Sequence, residues 1–380
     1  MRIAVLTTGR QDWGILRSTC VALRDDARFA LSLWSGGMHE SADFGATVKD
    51  VVEAGFVVDE HLDWLSSADM SGVDQAGGAL ALVGRALAQR RPEALLLVGD
   101  RLETAGAALA STLERIPIVH LHGGEETEGA FDNALRHAIT KMSHLHLVSH
   151  FDHAARVRAM GEDPAHIHVV GAPGLDNLQR SDLSDRAELE LSLGLPLKPP
   201  VVIVTLHPAT LGIDPRVEAE AVVAAMDAVP ATYVITLPNS DPGGATTRAV
   251  LLAAAQAPRR IVAEALGERR YWGLMRIADA MLGNSSSALL EAPAVGLPAV
   301  NVGNRQRGRR RGASVIDVDA DATTITNALR LAVLPETKAR LHVESAQGEG
   351  SSAQRILAVL AAWQPPSPPS KRFFGSGVAP

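Results

Sequence analysis

Between His120 and His137 the chain reads HLHGGEETEGAFDNALRH. Three histidines and four carboxylates (Glu125, Glu126, Glu128 and Asp132) crowd beside a Gly-Gly pair. Such a density of titratable groups serves a metal ion, an acid/base centre around one substrate, or nothing more than a solvated loop. His120 and His122 are two apart, so a strand would point both to one face, and with Glu125 they form a conceivable zinc set.

Other candidates follow apolar runs. Arg10 comes directly after RIAVLTTG, at a turn where a guanidinium holds a phosphate or simply meets water. The loop is not GxGxxG, and no GxxxxGK[ST] occurs in the sequence, so neither phosphate-binding fingerprint is present. Asp100 ends LLLVGD, and an ionised carboxylate there is costly unless solvated or paired; Arg101 is the adjacent partner. His207 in TLHP and Asn239 in TLPN occupy equivalent places, each a weak signal alone. LGNSSSALLEAP is stronger. Free N–H groups, the hydroxyls of Ser285 and Ser286 and a helix start make an anion site, against the plainer reading of a serine N-cap. Glu291, one to two turns on, suits ribose hydroxyls. GNRQRGRRRG then places five arginines between Arg305 and Arg311, a local positive patch without interleaved aromatics to stack bases.

These residues need elements to hold them. Runs at 2–8, 29–37, 94–100, 116–124, 144–150 and 166–174 are rich in Val, Ile and Leu and alternate with helical patterns. Near-continuous apolar strands between helices predict a parallel sheet covered on both faces. The pattern pauses over the polar stretch 175–199 and resumes at 201–208, 232–239, 260–266, 278–287 and 298–303. The expectation is an α/β protein of two Rossmann-like domains, 1–178 and 179–363, followed by a Pro-rich tail at 364–380. The ligand is expected in the interdomain cleft, outside the carboxyl ends of the strands. The tail is either disordered or pinned by Phe373 and Phe374.

Composition narrows the class. A net charge of −7 provides no global field toward nucleic acid or an anionic membrane, so neither is an expected partner. No apolar stretch approaches membrane-spanning length, and the opening run is too short for a signal peptide. The single cysteine, Cys20, excludes an internal disulfide framework and reads as a small buried residue. A cytoplasmic location is therefore expected.

Together, TTGRQDWG, GDRLE, the 120–146 block, GAPGLD, TLHP, GNSSSALLEAP and NVGNRQRGRRRGASVIDV resemble the hydrolysing UDP-N-acetylglucosamine 2-epimerases, over about residues 2–318. The terminal SKRFF is similar too. The resemblance implies a GT-B glycosyltransferase-like fold and release of N-acetylmannosamine and UDP, by anti elimination of UDP and syn hydration of the glucal. This chemistry serves nonulosonic (sialic-type) acid biosynthesis. A similar branch acts on UDP-linked 2,4-diacetamido-2,4,6-trideoxyglucose, toward legionaminic acid. Glycosyl transfer on the same fold is the third reading. The resemblance assigns the chemistry to Asp100, His122, Glu125 and Asp132. It assigns UDP binding to Arg10, His207, Asn239, Ser285, Ser286 and Glu291. His122 stands where some members carry a carboxylate. Gly123 and Gly124 would admit the sugar close to the backbone. His120, His144 and His146 become structural, Glu126 and Glu128 solvated. No cofactor and no metal is expected, since no further compact ligand set closes a site around His120. The expected partner is a UDP-sugar, and the expected assembly a homo-oligomer, dimer or tetramer.

Overall fold

The computed structural model of the chain describes residues 1–67, 70–127, 132–209, 214–239, 241–263, 266–341 and 351–375. Its residues divide into two compact units. The first comprises Met1–Glu125, Asp132–Gln179 and Gln347–Pro380; the second comprises Glu126–Phe131 and Arg180–Ala346.

Among the described residues, the first unit holds seven strands. They are β1 (Arg2–Thr7), β2 (Ala30–Gly36), β3 (Glu60–Leu62), β4 (Ala94–Val98), β5 (Ile118–Leu121), β6 (Leu145–Val148) and β7 (Ile167–Val169). Their order is β3-β2-β1-β4-β5-β6-β7, and every pairing is parallel. Successive side chains leave opposite faces of a strand. In β1, Ile3 and Val5 therefore join one apolar cluster while Ala4 and Leu6 join another, each wholly or almost wholly buried. A sheet apolar on both faces needs helices on both, which is why its strands carry no polar alternation.

The second unit holds β8 (Val201–Thr205), β9 (Thr232–Thr236), β10 (Arg260–Ala263), β11 (Ala280–Gly283), β12 (Ala299–Val302) and β13 (Val315–Val318). Their order is β10-β9-β8-β11-β12-β13, again parallel throughout. Both sheets reverse strand order beside their first strand, and loops at such a reversal are where ligands of open α/β sheets bind.

The expected second domain ended at 363, and here the structure differs. The helix Ser352–Ala362 buries Ile356 and Leu360 in the core of the first unit, with Trp13, Leu16, Cys20 and Leu23 of the helix Arg10–Arg24. Asp176 accepts the backbone N–H groups of Ser352 and Ala353 at 2.9 and 2.8 Å, capping that helix. The apolar stripe of the last helix thus finds its partners in the first unit. No helix among the described residues is long and apolar enough to cross a membrane.

Candidate active site

In the first unit the acid/base candidates collect behind β4 and β5. His122 has φ +63°, a left-handed backbone that a side chain with a Cβ rarely adopts. Its Nδ1 lies 2.7 Å from Glu125 Oε1, and both residues are buried. Ser149 donates to the same carboxylate oxygen at 2.9 Å and lies 2.9 Å from His153 Nδ1. With Nδ1–H directed at the carboxylate, the neutral ring keeps its lone pair on Nε2. That nitrogen is buried and has no hydrogen-bond partner among the described residues.

Asp100 is paired with Arg136, not with the adjacent Arg101, which instead bonds Glu103 at 2.8 Å. Arg136 is almost fully buried. It also donates to the backbone carbonyl of Glu125 at 2.8 Å and to Asn133 Oδ1 at 3.1 Å. One guanidinium therefore ties together Asp100, the Glu125 backbone and the helix Asp132–Met142, whose first residue is the half-buried Asp132. Sequence reasoning passed over Arg136. Its only signal was spacing, four residues after Asp132 on the same helix face.

His120 does not share a face with His122. β5 stops at Leu121, and the left-handed turn at 122 redirects the second ring. His120 Nε2 lies 2.8 Å from the Gly99 carbonyl and Nδ1 lies 3.2 Å from Thr140 Oγ1, so both ring nitrogens are engaged. Burial pushes this imidazole down to about 3, and it stays neutral. Among the described residues no group of three or more His, Cys, Asp or Glu side chains could hold a metal ion.

The reason for the glycine pair also changes. A Cβ on Gly123 would stand 2.9 Å from His120 Nδ1, and one on Gly124 (φ +76°) would stand 2.5 Å from the His153 carbonyl. The glycines let the loop close on its own protein. His144 accepts the Ile118 N–H, and His146 bonds Glu162; both are structural. Glu126 is half-buried, and Glu128 lies outside the described residues. Arg10 opens its helix directly after Gly9 and is partly exposed. Close by in sequence, the buried Asp12 accepts the Thr8 N–H at 3.0 Å and fixes the turn after β1. Burial pushes its carboxyl up, against the pull of Arg101.

In the second unit the ends of β8, β9 and β11 form a continuous network. The His207 N–H donates to Asn284 Oδ1, and Asn284 Nδ2 donates back to the His207 carbonyl, both at 2.8 Å. The Asn239 N–H donates to His207 Nδ1 at 3.3 Å, so this ring's proton sits on Nε2, where it is a donor. Asn239 Nδ2 bonds Asp241 at 2.8 Å, and Asp241 lies 3.6 Å from Arg305. Arg305 and Gln306 are buried and both donate to the Asn284 carbonyl. Asn284 is thus the hub, and sequence reasoning read only its neighbours as ligands. Beneath it, burial raises the Glu218 carboxyl to about 7, opposed by Asn284 and Arg305.

Ser285 and Ser286 follow that hub, both half-buried. The helix after them, Ser287–Leu290, is a single turn. Its aligned peptide dipoles are few, so it lacks the helix-start field that the sequence led one to expect. Glu291 ends that turn and is half-buried. The positive patch divides: Arg305 is buried, Arg309 Nε donates to Thr127 Oγ1 at 3.3 Å, and Arg311 pairs with Asp317.

The family model described as UDP-N-acetylglucosamine 2-epimerase matches residues 21–361. This chain belongs to that family. It is 32% identical over 362 residues to the UDP-N,N'-diacetylbacillosamine 2-epimerase (hydrolyzing) of Legionella pneumophila, covering 94% of this chain and 95% of the relative. It is 31% identical over 339 residues to the UDP-N-acetylglucosamine 2-epimerase of Neisseria meningitidis serogroup B, with 87% of each covered. The crystal structure of the Neisseria meningitidis UDP-GlcNAc 2-epimerase bound to UDP-GlcNAc superposes with a TM-score of 0.79 at 16% identity, over 95% of this chain and 99% of that one. The fold of this family member is therefore GT-B-like, with two parallel α/β units.

Proposed function

We propose that this family member is a hydrolysing 2-epimerase. It takes a UDP-linked 2-acetamido sugar and releases UDP and the free sugar inverted at C2. A base removes the C2 proton while the C1–O bond breaks and UDP departs. Water then adds its oxygen to C1 and a proton returns to C2 from the other face. The observation that carries this reading is His122: a strained backbone, Nδ1 on Glu125, and a buried Nε2 with an unshared lone pair. A neutral imidazole oriented by a carboxylate is the arrangement that lets a histidine take and return a proton. Asp100 and Asp132 are the further carboxylates of this chemistry. Arg10, His207, Asn239, Ser285, Ser286 and Glu291 take the UDP portion. His207 Nε2–H and the two serine hydroxyls supply the donors that diphosphate oxygens need.

UDP-N-acetylglucosamine, giving N-acetylmannosamine, is the first substrate reading and agrees with the family description. UDP-linked 2,4-diacetamido-2,4,6-trideoxyglucose is the second, favoured by the name of the Legionella relative. NMR of the products of both sugars in heavy water tests the proposal. Deuterium at C2 of an inverted sugar is expected, and the faster sugar is the substrate. Release of UDP with an unchanged, undeuterated C2 overturns the epimerase reading. Dependence of UDP release on an added acceptor would point to glycosyl transfer.

A further inference from the structure

The helix Asp132–Met142 serves the acid/base group at successive turns of one face. Arg136 holds Asp100 and the Glu125 carbonyl, and Thr140 bonds the His120 ring, whose other nitrogen bonds Gly99 beside Asp100. The far end of this helix leaves carbonyls without helical partners. A segment more than two hundred residues away supplies them. Lys371 Nζ donates to Thr140 O at 3.2 Å, to Ser143 O, and to Glu162 Oε2 at 2.5 Å, which uses all three of its protons. Glu162 is buried; its other oxygen takes Lys141 at 2.6 Å, and His146 approaches Oε2 at 2.9 Å.

The segment is fastened again just after that contact. The Phe374 N–H donates to the Gly161 carbonyl at 2.8 Å. The Phe373 ring lies so close to Gly161 that a Cβ there would stand 2.3 Å from it, and Lys141 Nζ sits 5.4 Å from the ring centroid. A cation at a helix C-terminus is favourable in itself. A half-buried cation reaching two carbonyls and a carboxylate also fixes the axial position of the helix.

We propose that Lys371 is a positioning residue for the reaction, holding the helix in the register at which Arg136 meets Asp100 and the Glu125 backbone. This rests on the epimerase reading above. Lys371 touches no group assigned to the substrate, so its loss should act through kcat.

The experiment compares wild type, Lys371→Met, Lys371→Arg and Phe373→Ala by steady-state kinetics, UDP calorimetry and thermal melting. Wild-type turnover with C2 exchange tests the epimerase reading by itself. Given that turnover, Lys371→Met should lower kcat about tenfold or more, with KM and UDP affinity within about twofold of wild type, and Lys371→Arg should restore most of the loss. A folded Lys371→Met with wild-type kcat overturns the proposal, as does a loss expressed in KM alone. Should Lys371→Met fail to fold, Phe373→Ala, which loosens the segment with Lys371 in place, decides by the same split: a fall in kcat supports the proposal and an unchanged kcat overturns it.

Discussion

His122 Nδ1 and Glu125 Oε1 stand 2.7 Å apart although His122 must occupy left-handed backbone space to bring them together. Left-handed geometry at a non-glycine residue costs on the order of 1–2 kcal/mol. His122→Gly relieves that strain but strands the buried Glu125 carboxylate, so its urea midpoint should fall less than that of His122→Ala, while turnover falls by about a hundredfold or more. His122→Gln removes the imidazole and should lose activity without the relief of strain. Wild-type turnover in either variant would remove His122 from the chemistry.

The buried Arg136 and the half-buried Asp100 form the ion pair beside it. Removing one partner strands the other. Arg136→Met should destabilise the first unit by about 3–5 kcal/mol in urea denaturation. Asp100→Asn, which keeps the shape, should cost less stability and abolish most turnover. Equal stability of Arg136→Met and wild type would show that this pair does not support the fold.

In the second unit, Ser285→Ala combined with Ser286→Ala should weaken UDP binding. Hydrogen bonds to charged oxygens contribute about 1.5–3 kcal/mol each. Calorimetry giving unchanged UDP affinity in the folded double variant would take these hydroxyls out of the site.

Acid should unfold the protein in two stages. Burial holds His39 and His120 down to about 3 and His153 to about 4, below their ordinary 6.5. Each contributes stability that is complete above 6.5 and fades as pH falls toward those folded values, because the unfolded chain takes up the proton first. Burial also works against an ionised Glu162, but the bonds from His146, Lys141 and Lys371 outweigh it and hold the carboxyl at about 2, against an ordinary 4.5. Its contribution, on the order of 3 kcal/mol, is complete above 4.5 and lost between there and 2. Urea midpoints measured from pH 7 to pH 3 should fall from about 6.5 downward. Glu162→Gln should flatten the part of the curve below 4.5, and an unchanged slope there would refute the assignment.

Exhaustive dialysis against a strong chelator should leave turnover intact, since both nitrogens of His120 already serve Gly99 and Thr140. Loss of activity restored by one divalent ion would reopen a metal role for this loop.

The sequence by itself determined the layered α/β architecture. Unbroken apolar runs such as ALLLV at 94–98 and VVIVT at 201–205 suit strands covered on both faces, and little else. It also located the candidate residues at strand ends, because polar groups just past a buried run have to meet solvent, a partner or a ligand. It did not show β3, whose EHL stretch at a sheet edge lacks the apolar run of a central strand. Tertiary structure alone decided the partners. Asp100 meets Arg136 rather than Arg101, since the 132–142 helix carries the guanidinium back over β4 and β5. His122 parts from His120 because the chain leaves the strand at 121 and turns left-handed. Ser352–Ala362 returns to the first unit, and Lys371 finds Glu162, through contacts spanning more than 170 residues in each case. Local periodicity records which face of an element is apolar. It carries no information about which distant surface fits that face, and the candidate site is built from side chains that only such distant contacts bring together.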